Sequence, residues 1–302
     1  MNLKTNNWVP DAIRDEITLQ IENLTTAATA AFAYIGPDAT IPTTNLVLNP
    51  INSNWVLVGS VSWTAFIDYQ DHGRKDTSRS FSGTSDVWSP IPIDFQGVVQ
   101  GGNIHLTISA IFKDLKTGVV YPQNFPLTSK ILGQNPDKAA VKARCGALEH
   151  QVIAYKESVP KWCQFGIDNL PSYHLDATGP GGFGIMQLTN FPVPTALQIW
   201  DWTQNVDAGI KKYEDGKGTI KQHYANLRAK NPTLPDLTPD QYKIAFYQYY
   251  NTGGILVTDF YWVPDPSATS WIANPNQAKK AYGDNAIQVE NMVLANTPPT
   301  GW

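Results

Sequence analysis

The sequence predicts an α+β chain of more than one part, a β-sandwich followed by a mainly α-helical domain. Three observations predict it. Residues 41–132 hold short runs with the period-2 alternation of half-buried strands, broken by Gly-, Pro- and Asn-rich turns. From Asn135-Pro136-Asp137 onward the periodicity becomes helical, with Pro-rich turns between segments. A chain of 302 residues suits two domains, or one large one, each able to bury a core.

Residues 1–40 form a mixed N-terminal segment, expected to be partly helical in "DAIRDEITLQIENL" and ambiguous in the Thr and Ala run that follows. In residues 41–132, "NWVLVGSVSWTAFIDYQ" spaces Val56, Val58, Val61 and Trp63 as a strand does. "NIHLTISAIFKD" alternates Ile104, Leu106 and Ile108 with polar or small residues, and "DLKTGVVYP" reads as a hairpin turn into a further strand. Short strands with this punctuation suggest a small immunoglobulin-like sandwich. Residues 133–302 make the helical domain. Its expected helices are 137–158, 194–202, 205–216 running on toward 229, 239–250 and 276–295.

Composition excludes several classes. Charged residues are 16% and the net charge is -4, so nothing asks for nucleic acid or an anionic membrane. No segment approaches the roughly 18–20 apolar residues of a membrane span. "MNLKTNNWVPDAIRDE" lacks the apolar stretch of a Sec-type signal. Aromatic residues reach 11%, which fits large cores or a cleft whose rings pack on sugar or peptide. Cys145 and Cys163 flank about a dozen helical residues, roughly 18 Å, too far for a disulfide without the chain folding back, so free thiols are expected. The five histidines form no zinc pattern, and neither a nucleophile elbow nor a phosphate loop is present, so no metal or cofactor is expected.

The residue that invites chemistry is Glu157, in "VIAYKESVPKW". Pro160 stops the helix just beyond it, and a helix C-terminus disfavours a carboxylate. Glu157 follows Glu149 and Ile153 at i, i+4, i+8, beside the apolar stripe of Leu148, Val152 and Tyr155. Partial burial and the helix dipole both raise its pKa. A glutamate kept protonated near neutral pH is the general acid that glycoside cleavage needs. Downstream, "GPGGFGIMQLTN" sets Gln187 inside an apolar run, where it needs either solvent or a specific partner, and its glycines admit close backbone approach to a substrate.

Glu157-Ser158, Gly181-Gly182-Phe183-Gly184-Ile185-Met186-Gln187, the Asn205-Val206-x-x-Gly209 helix and Tyr250-Asn251-Thr252-Gly253 occur in this order. Together they resemble the lysozyme-like superfamily, nearest its soluble lytic transglycosylases and goose-type lysozymes. The resemblance covers about residues 140–302 and leaves the first 130 outside it.

That resemblance implies a lysozyme-like domain that cleaves the β-1,4 bond between N-acetylmuramic acid and N-acetylglucosamine in peptidoglycan, with Glu157 as catalytic acid. It implies that Gln187 and the backbone region of Met186, with Ser158 and Phe183, bound the sugar cleft, that Tyr250 points toward the glutamate, and that Asn251 holds the loop or touches an N-acetyl group. A hydrolase needs a second carboxylate, whereas a transglycosylase uses the substrate's own 6-hydroxyl. Thr189 stands where goose-type enzymes carry an Asp, so Asp176, and after it Asp168, are the replacements to consider. Val159 stands where the family usually has Gly. The segment "KWCQFGIDNLPSYHLDATGP" is longer than in simple relatives and is expected to form a lid or a cleft wall. Two alternatives are a peptidoglycan-binding or structural protein without catalysis and a chitinase-like enzyme of the same superfamily. A wall-cleaving enzyme without a Sec signal implies phage delivery or a specialised secretion machine, with a phage-tail or secretion component, or an immunity protein, as partner.

Overall fold

The computed structural model describes residues 17–21, 31–50, 53–69, 78–87, 89–174, 181–189, 193–253, 260–275 and 281–302. The chain divides into two compact units. The first holds residues 1–136 and Ile167–Pro171, and the second holds Asp137–Gly166 and Ser172–Trp302.

The first unit is built on β1 (Ile17–Ile21), β2 (Ala33–Ile35), β3 (Thr44–Pro50), β4 (Trp55–Leu57), β5 (Val61–Asp68), β6 (Arg79–Ser85), β7 (Ile91–Ile93), β8 (Gly102–Asp114) and β9 (Val120–Gly133). One six-stranded sheet has the order β2-β9-β8-β5-β6, with β4 also on β8, and a three-stranded sheet has the order β1-β3-β7. The alternation sets the buried face. Val61, Trp63, Ala65 and Ile67 of β5 are buried, as are Ile104, Leu106, Ile108 and Phe112 of β8 and Phe125, Leu127 and Ile131 of β9. Trp63 pairs with Ile108 and Ile108 with Phe125, so these side chains form one continuous apolar row.

The immunoglobulin-like sandwich expected from residues 41–132 is not what the described residues form. The protein is mixed α/β, with a curled half-barrel sheet. β8 and β9 run for 13 and 14 residues and pair along nearly their whole length. Long paired strands twist and coil, and the sheet curls with them. A parallel pair, β2 on β9, also departs from an all-antiparallel sandwich. Helix was expected early in residues 1–40, but Ile17–Ile21 is a strand. Its β-branched residues Ile17, Thr18 and Ile21 suit that state. The other residues of that helical stretch lie outside the described ones.

The second unit carries α1 (Lys138–Cys145), α2 (Leu148–Glu157), β10 (Tyr173–His174), β11 (Gly182–Phe183), α3 (Ala196–Trp200), α4 (Trp202–Lys230), α5 (Pro239–Thr252), β12 (Trp262–Pro264), β13 (Trp271–Ala273) and α6 (Ala281–Leu294). The mainly helical, lysozyme-like expectation is thus replaced, among the described residues, by six helices interleaved with two short two-stranded sheets. The single helix expected over 137–158 is two. Gly146, at φ 66°, ends α1 and donates its N–H to Lys142 O, a left-handed break that glycine makes without strain. α5 starts at a capping box in which Thr238 and Gln241 satisfy each other's backbone N–H, with Pro239 next. Cys145 and Cys163 are both free. Among the described residues no helix is long and apolar enough to cross a membrane. Ile167–Pro171, inside the segment expected to be a lid or cleft wall, groups with the first unit, where Asn169 O accepts the N–H of Gly133.

Candidate active site

Glu157 is the last residue of α2. Ser158 follows with extended ψ, and its N–H and hydroxyl both donate to Ala154 O while its oxygen accepts the N–H of Trp162. Ser158 is wholly buried. It closes the helix and folds the chain back sharply, so that Glu157 ends the helix instead of starting another turn.

Three other helices bring groups to this carboxyl. α4 supplies Lys212, α5 supplies Tyr250 and α6 supplies Tyr282. Glu157, Lys212 and Tyr282 are each half-buried, while Glu157 Oε1 and Tyr282 Oη are sunk below the surface. Among the described residues neither of those two atoms meets hydrogen-bond geometry with a partner. The Glu157 carboxyl sits above the usual carboxylate range. Burial raises it, and Tyr282, as a donor at its side, together with the cations of Lys212, Lys156 and Lys161, pulls it part of the way back. The C-terminal end of the helix dipole adds to the upward push. Burial lowers the Lys212 ammonium, and Glu157 opposes that shift.

Tyr250 is buried and donates its hydroxyl to Met186 O at 2.7 Å. Lys212 Nζ lies 4.5 Å from the centroid of the Tyr250 ring, a cation–π contact. Burial and the nearby Glu157 hold the Tyr250 phenol well above its ordinary value, so it remains protonated and keeps that bond. Gly283 lets α6 approach α5, because a Cβ there would stand 2.7 Å from Ile244 O; its N–H donates to Gln248 Oε1. This close approach sets the position of Tyr282.

The glycine-rich loop is held from beneath by two buried amides. Asn205 Nδ2 donates to Phe183 O at 3.0 Å and to Gln198 O at 2.8 Å, and its Oδ1 accepts from Met186 N at 2.8 Å. Gln164 Nε2 donates to Ile199 O, and its Oε1 accepts from Ile185 N at 3.1 Å. Gly184, at φ 74°, lies on these amides so closely that a Cβ would stand 2.6 Å from Asn205 Nδ2. A Cβ on Gly209 of α4 would meet Met186 Cβ at 2.5 Å. Gly184 and Gly209 thus admit the protein's own side chains.

Glu157, Gln187 and Tyr250 fall in one region of the second unit, and the partner that Gln187 requires is Gly184 O, to which its Nε2 donates at 2.7 Å. Phe183, Met186 and Ser158 are 0% exposed, so their side chains brace the site from behind, and any part they take in the cleft falls to their backbone. Asn251 is half-buried on α5. Asp176, the candidate second carboxylate, lies outside the described residues. Asp168 is exposed and caps its own turn by accepting from Leu170 N. Burial, Tyr282 and three lysines dominate the shift of Glu157.

No family model, curated protein or solved structure matches this chain.

Lys212 and Tyr282 were not anticipated. A signal for Lys212 was present in the stripe Asn205, Gly209, Lys212, Gly216 at i, i+4, i+7, i+11 of α4. A second charged cluster joins Glu149, His150 and Glu214, whose ligand atoms lie within 4.8 Å of one another. Lys217 pairs with both Glu149 and Glu214, while His150 Nδ1 and Nε2 face Cys145 O and Glu214. A resident ammonium already neutralises the carboxylates, so the cluster is an ion-pair network and not a metal site.

Proposed function

We propose that the second unit cleaves the glycan strand of peptidoglycan at the bond between N-acetylmuramic acid and N-acetylglucosamine, with Glu157 as general acid. The observation that carries this reading is a half-buried helix-end glutamate with a raised pKa, set among Tyr282, Tyr250 and Lys212. A carboxyl that must deliver a proton is kept protonated and within reach. The order of the Glu-Ser, Gly-rich Met-Gln and Tyr-Asn motifs supports the same reading.

In this scheme Glu157 donates its proton to the leaving glycosidic oxygen. Tyr250 and the 183–187 loop keep the wall of the site rigid, and Lys212 tempers the carboxyl so that it can release the proton. A single carboxylate suffices if the 6-hydroxyl of the muramic residue attacks the anomeric carbon and gives its proton to Glu157, ionised by the first transfer, which makes a lytic transglycosylase the simpler form of the proposal. The test is mass spectrometry of peptidoglycan digested by the wild-type chain and by Glu157→Gln. A 1,6-anhydro end identifies transglycosylase action and a reducing muramic end identifies a hydrolase. Release of muropeptides by Glu157→Gln at the wild-type rate, or binding without release by wild type, would overturn the assignment.

A further inference from the structure

Residues 300–302 pack against both flanks of the helix end that carries Glu157. Tyr155, two residues before it, donates its hydroxyl to Thr300 O at 2.9 Å. Trp162, five residues after it, donates its indole N–H to Gly301 O at 2.8 Å. The rings of Tyr155, Trp162 and Trp302 close a triangle, with centroids 5.9 Å apart for Tyr155–Trp162, 5.4 Å for Tyr155–Trp302 and 5.3 Å for Trp162–Trp302. Lys142 Nζ caps it, 4.4 Å from the Trp302 ring centroid and 5.1 Å from that of Trp162.

This grip matters at the last turn of α2, because the ties of Glu149 to Lys217 and of His150 to Cys145 O and Glu214 all hold its first turn. The helix is 10 residues long and its N-cap, Ala147, makes no side-chain cap bond. Helices this short are marginal alone, so tertiary contacts decide where the last turn sits. Trp162 has φ 66°, an unfavourable value for a tryptophan, and its N–H is held by Ser158 Oγ. A backbone in that region persists only where its surroundings over-determine it. The three rings and two main-chain carbonyls supply that determination, next to the Glu157 carboxyl.

We propose that Trp302 is a positioning residue for Glu157, clasping the turn from Tyr155 to Trp162 so that the carboxyl keeps its recessed place. The catalytic consequence rests on the reading of Glu157 as general acid. The clasp itself does not, and its test keeps the two apart.

The full chain is used, as wild type, Trp302→Ala, Trp302→Phe and Tyr155→Phe; the last removes only the hydroxyl donated to Thr300 O. The Glu157 side-chain carboxyl is titrated by carbon-13 NMR, kcat and KM are measured on peptidoglycan, and circular dichroism with thermal melting follows the fold. In Trp302→Ala the Glu157 midpoint is expected to move toward the ordinary carboxylate value as water reaches the group. kcat is expected to fall about tenfold or more with KM within about threefold, since small misplacement of a reacting group is costly. Trp302→Phe is expected to restore most of both. A lower melting temperature with an unmoved midpoint and unmoved kcat marks an ordinary anchor and overturns the proposal. If Trp302→Ala does not fold, Tyr155→Phe decides by the same readouts. If wild type releases no muropeptides, the glycosidase reading fails while the NMR midpoints still decide the clasp.

Discussion

Tyr282 Oη and Glu157 Oε1 are buried on neighbouring helices, and the phenol acts as a donor to the carboxyl although the contact falls short of full hydrogen-bond geometry. Tyr282 thereby lowers the Glu157 carboxyl against the upward push of burial. Removing its hydroxyl in Tyr282→Phe should raise Glu157 further. Because the protonated form is the active one for a general acid, the basic limb of the pH profile of kcat/KM should move to higher pH. An unmoved or acid-shifted limb would count against Tyr282 as the group that tempers Glu157.

Lys212→Met should act in the same direction through charge alone. Lys212 favours the ionised carboxyl across a partly buried gap, so its loss also moves the basic limb upward. Lys212→Arg should restore the wild-type limb. Comparing the three pH profiles at one ionic strength checks both statements.

Glu157 should make the protein less stable as pH rises. Its folded pKa is raised, so the folded state holds a proton that the unfolded residue has already lost above 4.5. The stability this contributes is complete below that value and disappears as pH climbs through the folded pKa. Glu157→Gln carries no charge and escapes the penalty. It should melt higher than wild type at about pH 7–8, with the difference closing below about pH 4.5. Melting curves over that range decide it. A variant less stable than wild type throughout would mean that the ionised carboxylate is favoured in the fold. Catalysis should fall about 10²- to 10⁴-fold in the same variant.

Asn205→Ala removes one side chain and strands three backbone groups: Met186 N, Phe183 O and Gln198 O. Each buried orphan costs about 1–3 kcal/mol, and the loss should total about 3–5 kcal/mol. Urea denaturation measures it. A loss under about 1 kcal/mol would show that water replaces the amide.

Two glycines should behave oppositely. Gly184→Ala meets both a left-handed backbone and the amides of Gln164 and Asn205, so it should cost about 2–4 kcal/mol. Gly218, in the interior of α4, has nothing within 4 Å of where a Cβ would stand. Gly218→Ala should stabilise the protein by about 0.5–1 kcal/mol through helix propensity. The same denaturation series compares them.

Glu157 could be read from sequence because it breaks a local rule. A carboxylate beside an apolar stripe at a helix end is disfavoured twice, and that conflict is visible without coordinates. Gln187 was legible for a related reason, being a polar group in an apolar run. Lys212 was less so: only its place on the Asn205–Gly216 stripe of α4 separates it from the adjacent Lys211. One pairs with Asp215 at the surface and the other turns toward Tyr250 and Glu157. Tyr282 depends on how closely α6 reaches α5, which Gly283 sets and no local pattern announces. In the first unit the alternation of Ile104, Leu106 and Ile108 gave the buried face, but pairing order is non-local. Nothing in "AYI" indicates a parallel partner nearly a hundred residues later in β9. The sandwich expectation failed at that level, although its strands were visible.

The division of the chain has a consequence for its synthesis. Asn169 belongs to the first unit although Asp137–Gly166, which precede it, belong to the second. Gly133, the last residue of β9, finds its acceptor at Asn169 O. As the polypeptide emerges from the ribosome, the earlier unit is therefore not finished when its own strands are complete. It waits for a stretch made after α1 and α2, the helices that lead to Glu157. The two units are sequential in the sheet and helices they contain, but interlaced in the order in which they can close.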